Sequence, residues 1–266
     1  MSEMQPASAK TRTTRRRLMI GAGLAAAAAA WWGWPKVAHF FVQEFTFEAL
    51  PGMPGFRQIS AGETSGNINP LAGIDQPAQD NRADLRNHVR ANICEALFGD
   101  TAKTGVVPIA SFSDYYCPFC RVLTQKLAAL EQAANGSVRI TWHEWPLLGS
   151  NSDLAARAAL AADRQGAYVA FHKRLMRTSF VATPEFLEAL AKGIGIDPAR
   201  MLADIESDVV SRRLQSSAAI AEVFGFRGTP ALVVGRTVVV GAVSDATLKA
   251  LIEQERRDGP LAFCEA

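Results

Sequence analysis

Four residues carry the most explicit chemistry in the chain: Cys117-Pro118-Phe119-Cys120. A thiol is a weak nucleophile and a thiolate a strong one, so the question is what would hold a cysteine here as an anion. An apolar run, Val106 to Phe112, precedes the motif and reads as a buried strand. A helical pattern follows it, from Pro118 to Ala134, with Val122, Leu123, Leu127 and Leu130 on one face and Asn135-Gly136 as the stop. Cys117 therefore falls where a strand hands over to a helix. Free backbone N–H groups and the positive end of the helix dipole favour a negative charge at that point. Pro118 suits the first helical position, where its missing N–H is no loss and its φ is already set. Cys120 lies one helical turn on, within reach of a disulfide to Cys117. The pattern expects Cys117 as the attacking sulfur and Cys120 as the resolving one. Two other uses of the pair are a zinc half-site and an inert structural disulfide. Zinc would need two more ligands, and His39, His88, His143 and His172 all lie far from the motif in sequence.

The surrounding elements read as follows. Residues 82–98 have helical spacing (Leu85, Val89, Ile93, Ala96, Leu97) and end at Gly99. Residues 56–60 are a possible edge strand, and Val138 to Trp145 is a strand. Residues 152–165 form an alanine-rich helix capped by Ser152 or Asn151. Helices continue over 167–178, 184–193 and 198–224, broken at Pro184 and at Asp197-Pro198. Ala231–Val234 and Thr237–Val240 are strands joined by Gly235-Arg236, a hairpin signal, and Ser244 to Arg257 is a last helix. Parallel strands linked by helices define an α/β class. The order specifies a thioredoxin-like sheet interrupted by an inserted helical subdomain at about 152–224, within a domain spanning 81–266, and preceded by an N-terminal signal anchor.

Composition narrows the setting. Of 266 residues, 48% are hydrophobic and 20% charged, which supports a packed core and excludes wholesale disorder. The net charge of +2 is unevenly spread: Lys10, Arg12, Arg15, Arg16 and Arg17 stand against Glu3 alone in residues 1–20. Without that segment 23 basic residues face 25 acidic ones, so no excess of positive charge remains to grip a phosphate backbone, and nucleic acid is not an expected partner. The basic flank is followed by an apolar, alanine-rich stretch and by Trp31, Trp32 and Trp34. Residues 1–36 read as an export signal or signal anchor, and Thr14 to Met19 resembles a twin-arginine export motif. If it is not cleaved, 18–34 is at the lower length limit for a membrane span, with the tryptophans as an interfacial belt. Ala28-Ala29-Ala30 offers the alternative, a small-residue cleavage site. Either way the remainder is exported, to the bacterial periplasm or the outer side of the inner membrane, where disulfides persist. Residues 37–80 read as a juxtamembrane segment and a Gly/Pro/Asn-rich linker. The two leftover cysteines, Cys94 and Cys264, are candidates for a structural disulfide or for two separate thiols.

Ser113-Asp114-Tyr115-Tyr116-Cys117-Pro118-Phe119-Cys120 resembles the active-site segment of DsbA-like protein-disulfide oxidoreductases. Glu144 to Gly149, followed by Ala155 to Ala159, is similar to the family's entry into its helical insertion, and Gly228-Thr229-Pro230-Ala231 to its cis-proline loop. The three occur in the family's order and, with their spacers, cover about residues 104–257. The resemblance implies that Pro230 is cis and faces Cys117, and that Thr229 tunes the thiolate and turns its backbone towards a bound peptide. It implies cysteine-containing exported proteins as substrates, a membrane quinone-linked oxidase as redox partner, and no cofactor or metal. The middle dipeptide, Pro118-Phe119, departs from the Pro-His of the strongest oxidants, because Phe119 offers the thiolate neither charge nor hydrogen bond. Asp114 is either a loop cap or a group that tunes the site. Glu144 is a candidate proton acceptor for Cys120, with a structural role as the alternative. Residues 37–80 carry no heptads for oligomerisation, which favours an oxidant over an isomerase; a reductase is the other alternative direction. A thioredoxin-like metal carrier or assembly protein is the non-enzymatic alternative.

Overall fold

The computed structural model describes residues 45–59, 62–66, 82–101, 105–177 and 179–264. The export segment 1–36, its apolar stretch 18–34, and residues 37–44 and 67–80 lie outside the described residues. No helix among the described residues is long and apolar enough to cross a membrane.

Among the described residues six strands form one mixed sheet: β1 (Glu48–Ala49), β2 (Arg57–Ile59), β3 (Val107–Ser113), β4 (Val138–Glu144), β5 (Ala231–Val234) and β6 (Thr237–Val240). Their order is β1-β2-β6-β5-β3-β4. β3 lies parallel to β4 and antiparallel to β5, with Ser113 opposite Glu144 and Phe112 opposite Ala231. Gly235 and Arg236 close the β5–β6 hairpin, and Gly235 has φ 55°, a left-handed conformation that glycine adopts without steric cost. β3 is buried at all seven positions, as an apolar strand between two neighbours must be. Its side chains alternate between two apolar clusters. Ile109, with Leu232, Val234 and Val239, belongs to one, and Ala110 and Phe112, with Ala231, Val233 and Val238, to the other.

The helices are α1 (Ala83–Ala91), α2 (Ile93–Phe98), α3 (Pro118–Ala133), α4 (Ser150–Asp163), α5 (Tyr168–Leu175), α6 (Pro184–Ile194), α7 (Pro198–Ile205), α8 (Asp208–Val223) and α9 (Asp245–Asp258). α4 to α8 stand between β4 and β5, so the sheet is interrupted by a helical block. α4 buries alanines on most of its surface (Ala155, Ala156, Ala158, Ala159, Ala161, Ala162), which lets α5, α7 and α8 approach it closely. Side-chain caps hold three of these starts: Thr183 on α6, Asp197 on α7 and Ser207 on α8.

Several local expectations are corrected. The helix expected over 82–98 is two, because Asn92 turns its amide back onto the His88 carbonyl and leaves the helical conformation. Residues 198–224 also divide, at Glu206-Ser207. The strand at 57–59 is not at the edge: it pairs with β6 on one side and with Glu48–Ala49 on the other. Val122 is 56% exposed rather than on the inward face of α3. α4 starts after Gly149 with no side-chain cap, since Ser152 is turned inward to another task.

Candidate functional site

β3 delivers the chain to Ser113, and Asp114 to Tyr116 turn it into α3. Asp114 is buried, and its carboxylate accepts hydrogen bonds from the N–H groups of Tyr116 (2.7 Å), Leu147 (2.6 Å) and Leu148 (3.0 Å) and from the Ser152 hydroxyl. Its backbone carbonyl accepts from Cys117 N–H at 3.1 Å. One carboxylate thus ties the loop before the cysteines to the loop that enters α4, and it satisfies backbone donors that would otherwise be buried without partners. This is the capping geometry.

Cys117 is the N-cap of α3, with Pro118 in the first turn. Its sulfur accepts from Cys120 N–H at 3.3 Å and, as a thiol, donates to the Thr229 carbonyl at 3.3 Å. The Thr229–Pro230 bond is cis. The structure therefore brings Cys117, Pro118, Cys120, Thr229 and Pro230 together, from segments more than a hundred residues apart. Phe119 is half-buried beside them. The two sulfurs are unbridged and differ sharply. The hydrogen bond from the Cys120 thiol is the largest influence on Cys117 and lowers it to about 6. Burial opposes this, while the Cys120 N–H and the side chains of Thr229 and Ser65 add to the lowering. Burial, and next the bond to Cys117, push Cys120 well above the ordinary thiol range. At neutral pH one sulfur is an anion and the other keeps its proton.

Glu144, at the end of β4, is 1% exposed. Its Oε1 accepts from the hydroxyls of Tyr115 (2.6 Å) and Tyr168 (2.5 Å) and lies 3.2 Å from His172 Nδ1. Among the described residues no hydrogen bond joins it to Cys120, and its Oε2 and His172 Nε2 lack partners. Burial and the adjacent Glu144 push both tyrosines well above their ordinary range, so they remain donors. The sequence assigns Tyr115, Tyr168 and His172 no shared role with Glu144; the available signals are that Tyr115 sits two residues before Cys117 and that Tyr168 and His172 share a helix face. Arg121 extends the same wall, donating to the Tyr115 carbonyl and to Ser179 Oγ. His143 stacks on Phe112 at 4.4 Å and meets the Leu97 carbonyl, a packing role. Burial lowers it to about 4.

Cys94 and Cys264 are joined in a disulfide, with Cα atoms 5.5 Å apart across a sequence separation of 170. Beside it Phe263 packs on Phe56, with ring centres 4.8 Å apart. Among the described residues no group of three or more His, Cys, Asp or Glu side chains could hold a metal ion.

Such a sulfur pair at a strand-to-helix junction, facing a cis-proline across a sheet that carries a helical block, defines a thioredoxin-like redox domain. The family model described as the DSBA-like thioredoxin domain matches residues 108–253, and the chain belongs to that family. A thioredoxin-like oxidoreductase from Silicibacter pomeroyi DSS-3 is 37% identical, covering 61% of this chain and 97% of that one, with a TM-score of 0.57. A periplasmic thioredoxin-like protein from Salmonella enterica serovar Typhimurium is 27% identical over 61% and 95%, with a TM-score of 0.54. The catalytic domain of Proteus mirabilis ScsC is 25% identical over 64% and 97%, with a TM-score of 0.54. One curated relative, the Na(+)/H(+) antiporter NhaA of Herminiimonas arsenicoxydans, is 26% identical over 149 residues. That match covers 56% of this chain and 24% of the antiporter, so the chain spans about a quarter of the relative's length. With family and geometry in agreement, the domain at residues 108–253 is a thiol:disulfide oxidoreductase domain.

Proposed function

We propose that the chain oxidises cysteine pairs in exported proteins on the extracytoplasmic side of a bacterial inner membrane. The observation that carries this reading is the division between the two sulfurs: Cys117 lowered to about 6 beside Thr229, and Cys120 pushed upward behind it. A stabilised Cys117 thiolate stabilises the reduced form, which makes the corresponding disulfide a better oxidant.

The steps follow from that asymmetry. In the oxidised protein a substrate thiolate attacks the Cys117 sulfur, the Cys117–Cys120 bond breaks, and Cys120 leaves and takes up a proton. Its high proton affinity draws that step forward. The second substrate thiolate attacks the substrate sulfur of the mixed disulfide, and Cys117 leaves as a stable anion. The substrate loses two electrons and two protons; the protein gains both electrons and, on Cys120, one proton, while the second proton passes to solvent because Cys117 stays a thiolate. A quinone-linked membrane oxidase is the partner that would restore the disulfide. Asp114 holds the loop that aims Cys117, and Pro230 keeps a backbone N–H out of the approach. The basic and apolar pattern of residues 1–36 supports the export side of this reading.

The test is the equilibrium of Cys117–Cys120 with glutathione, measured together with oxidative refolding of a reduced substrate. An oxidising potential and oxidation that depends on Cys117 are expected. A potential near that of thioredoxin would make the chain a reductase. Tight stoichiometric binding of copper or zinc without turnover would make it a metal carrier.

A further inference from the structure

The backbone edge beside the reactive sulfur is already occupied, and by this chain. Ser65 N–H donates to the Thr229 carbonyl at 2.7 Å, and Thr229 N–H donates to the Ser65 carbonyl at 2.8 Å. This is an antiparallel bridge between two segments that belong to no named strand. A second anchor lies a few residues back, where Gly62 N–H donates to Ala242 O (3.2 Å) and Ala242 N–H to Glu63 O (2.9 Å). While Cys117 carries its proton, the Thr229 carbonyl also accepts from that thiol; once Cys117 ionises, the Ser65 N–H is the donor that remains on it.

Glycines on both sides make the contact backbone to backbone. A Cβ on Gly66 would stand 2.6 Å from Arg227 O, and one on Gly62 2.5 Å from Ala242 O. From the other side, a Cβ on Gly228 would stand 2.9 Å from Ser65 O, and one on Gly241 2.1 Å from Gly62 O. Cys117 has no exposed surface, yet the neighbouring Pro118 is exposed and Tyr116 and Phe119 are only half-buried. The sulfur is therefore covered rather than deep.

A polypeptide that reaches Cys117 must run past Thr229, 3.3 Å from the sulfur, and its extended backbone would seek the same N–H and C=O. We propose that residues 62–66 form an intramolecular strap that takes the substrate's place on Thr229 and must leave before a polypeptide can engage Cys117. The proposal rests on the oxidoreductase reading above and adds to it a competitor within the same chain. Its strength sets the fraction of molecules open to substrate, and so scales the apparent affinity for every substrate alike. The choice among substrates is then made by the vacated Thr229 edge, where only a segment able to extend regains the hydrogen bonds the strap gave up.

The test uses the full chain. Gly62→Ala/Gly66→Ala puts methyl groups where only hydrogen fits, and Ser65→Pro removes the N–H that reaches Thr229. In reduced protein above pH 8, iodoacetamide should alkylate Cys117 roughly tenfold faster in both variants than in the unaltered chain. Alkylation at an unchanged or lower rate would overturn the strap. A second measurement needs no strap variant. In Cys120→Ser, trapped as a mixed disulfide with a short synthetic peptide carrying one cysteine, the Ser65 amide should exchange with solvent far faster than before trapping, while the Thr229 amide stays protected. Continued protection of Ser65 would show that substrate binds without displacing it, and the strap would be refuted. Alkylation requires no turnover, so the two readings fail separately. Faster alkylation without oxidation of a substrate sinks the oxidoreductase reading alone, and normal oxidation with unchanged alkylation sinks the strap alone.

Discussion

The chain holds two cysteine pairs of opposite character. Cys117 and Cys120 sit three residues apart at the start of a helix, where N–H groups and a neighbouring thiol favour an anion on one of them. Cys94 and Cys264 sit 170 residues apart and tie the tail of the chain to α2, beside the ring contact of Phe263 with Phe56. The first pair has donors aimed at sulfur, and the second has packing around it. Reactivity is thus set by what surrounds a disulfide, not by the bond itself.

The largest effect separates the pairs by function. Cys117→Ser should reduce oxidation of a substrate to background, and Cys120→Ser should accumulate mixed disulfides on Cys117. Cys94→Ser/Cys264→Ser should leave turnover within about twofold, because neither sulfur touches the reacting atoms. Comparable turnover loss in both sets, measured by oxidative refolding of a reduced substrate, would erase the distinction.

The next effect separates them by stability. Removing the Cys94–Cys264 bridge frees a very long loop in the unfolded chain and should cost about 2–5 kcal/mol, read from denaturant midpoints. Reduction of Cys117–Cys120 should cost far less, since its loop is short and its thiolate is stabilised. That balance depends on pH. Cys117 is depressed in the folded state, so its contribution is complete above the ordinary thiol range, near 8.5, and is lost as pH falls through about 6. Cys120 is raised, so its contribution is present below the ordinary range and lost as pH rises beyond it. The melting temperature of the reduced protein should therefore gain on that of the oxidised protein between about pH 6 and 8. A flat difference across that range would mean that Cys117 is an ordinary thiol.

The reactive pair was the most legible feature of the sequence. A strand, a C-x-x-C and a helix in succession are local, and the helix start alone is enough to favour a thiolate. The order of strands and helices along the chain and the helical block between β4 and β5 were also readable, because strand and helix periods differ and Gly235-Arg236 marks its own turn. What escaped depends on contacts across long separations. Glu144 invited a role in proton transfer, but its three hydrogen-bonding neighbours come from two other segments, and only folding shows that they gather on one oxygen. Ser152 has the composition of a cap and is instead drawn to Asp114, 38 positions away, because a buried carboxylate demands donors more strongly than a helix end at the surface. Residues 62–66 were least legible of all. Their Gly-rich composition reads as linker, and nothing local says that the glycines are there to let two backbones touch.

The smallest expected effect probes how finely the surroundings of Cys117 set its character. Phe119 lies between the two cysteines, half-buried, and supplies neither charge nor donor. Phe119→His places an imidazole at the same point of the first turn of α3, where in its protonated form it can donate to the thiolate and offset its charge. The Cys117 alkylation midpoint should fall below about 6, by on the order of one unit, and the equilibrium with glutathione should move towards the reduced protein by about tenfold. The Cys94–Cys264 bridge should not respond, because it has no thiolate for the imidazole to act on. The measurement is one pH titration of alkylation and one redox equilibrium on each protein. If the midpoint stays in place, the thiolate is already held by the Cys120 thiol, the N–H groups of α3 and the loops around Thr229, and the middle dipeptide contributes shape alone.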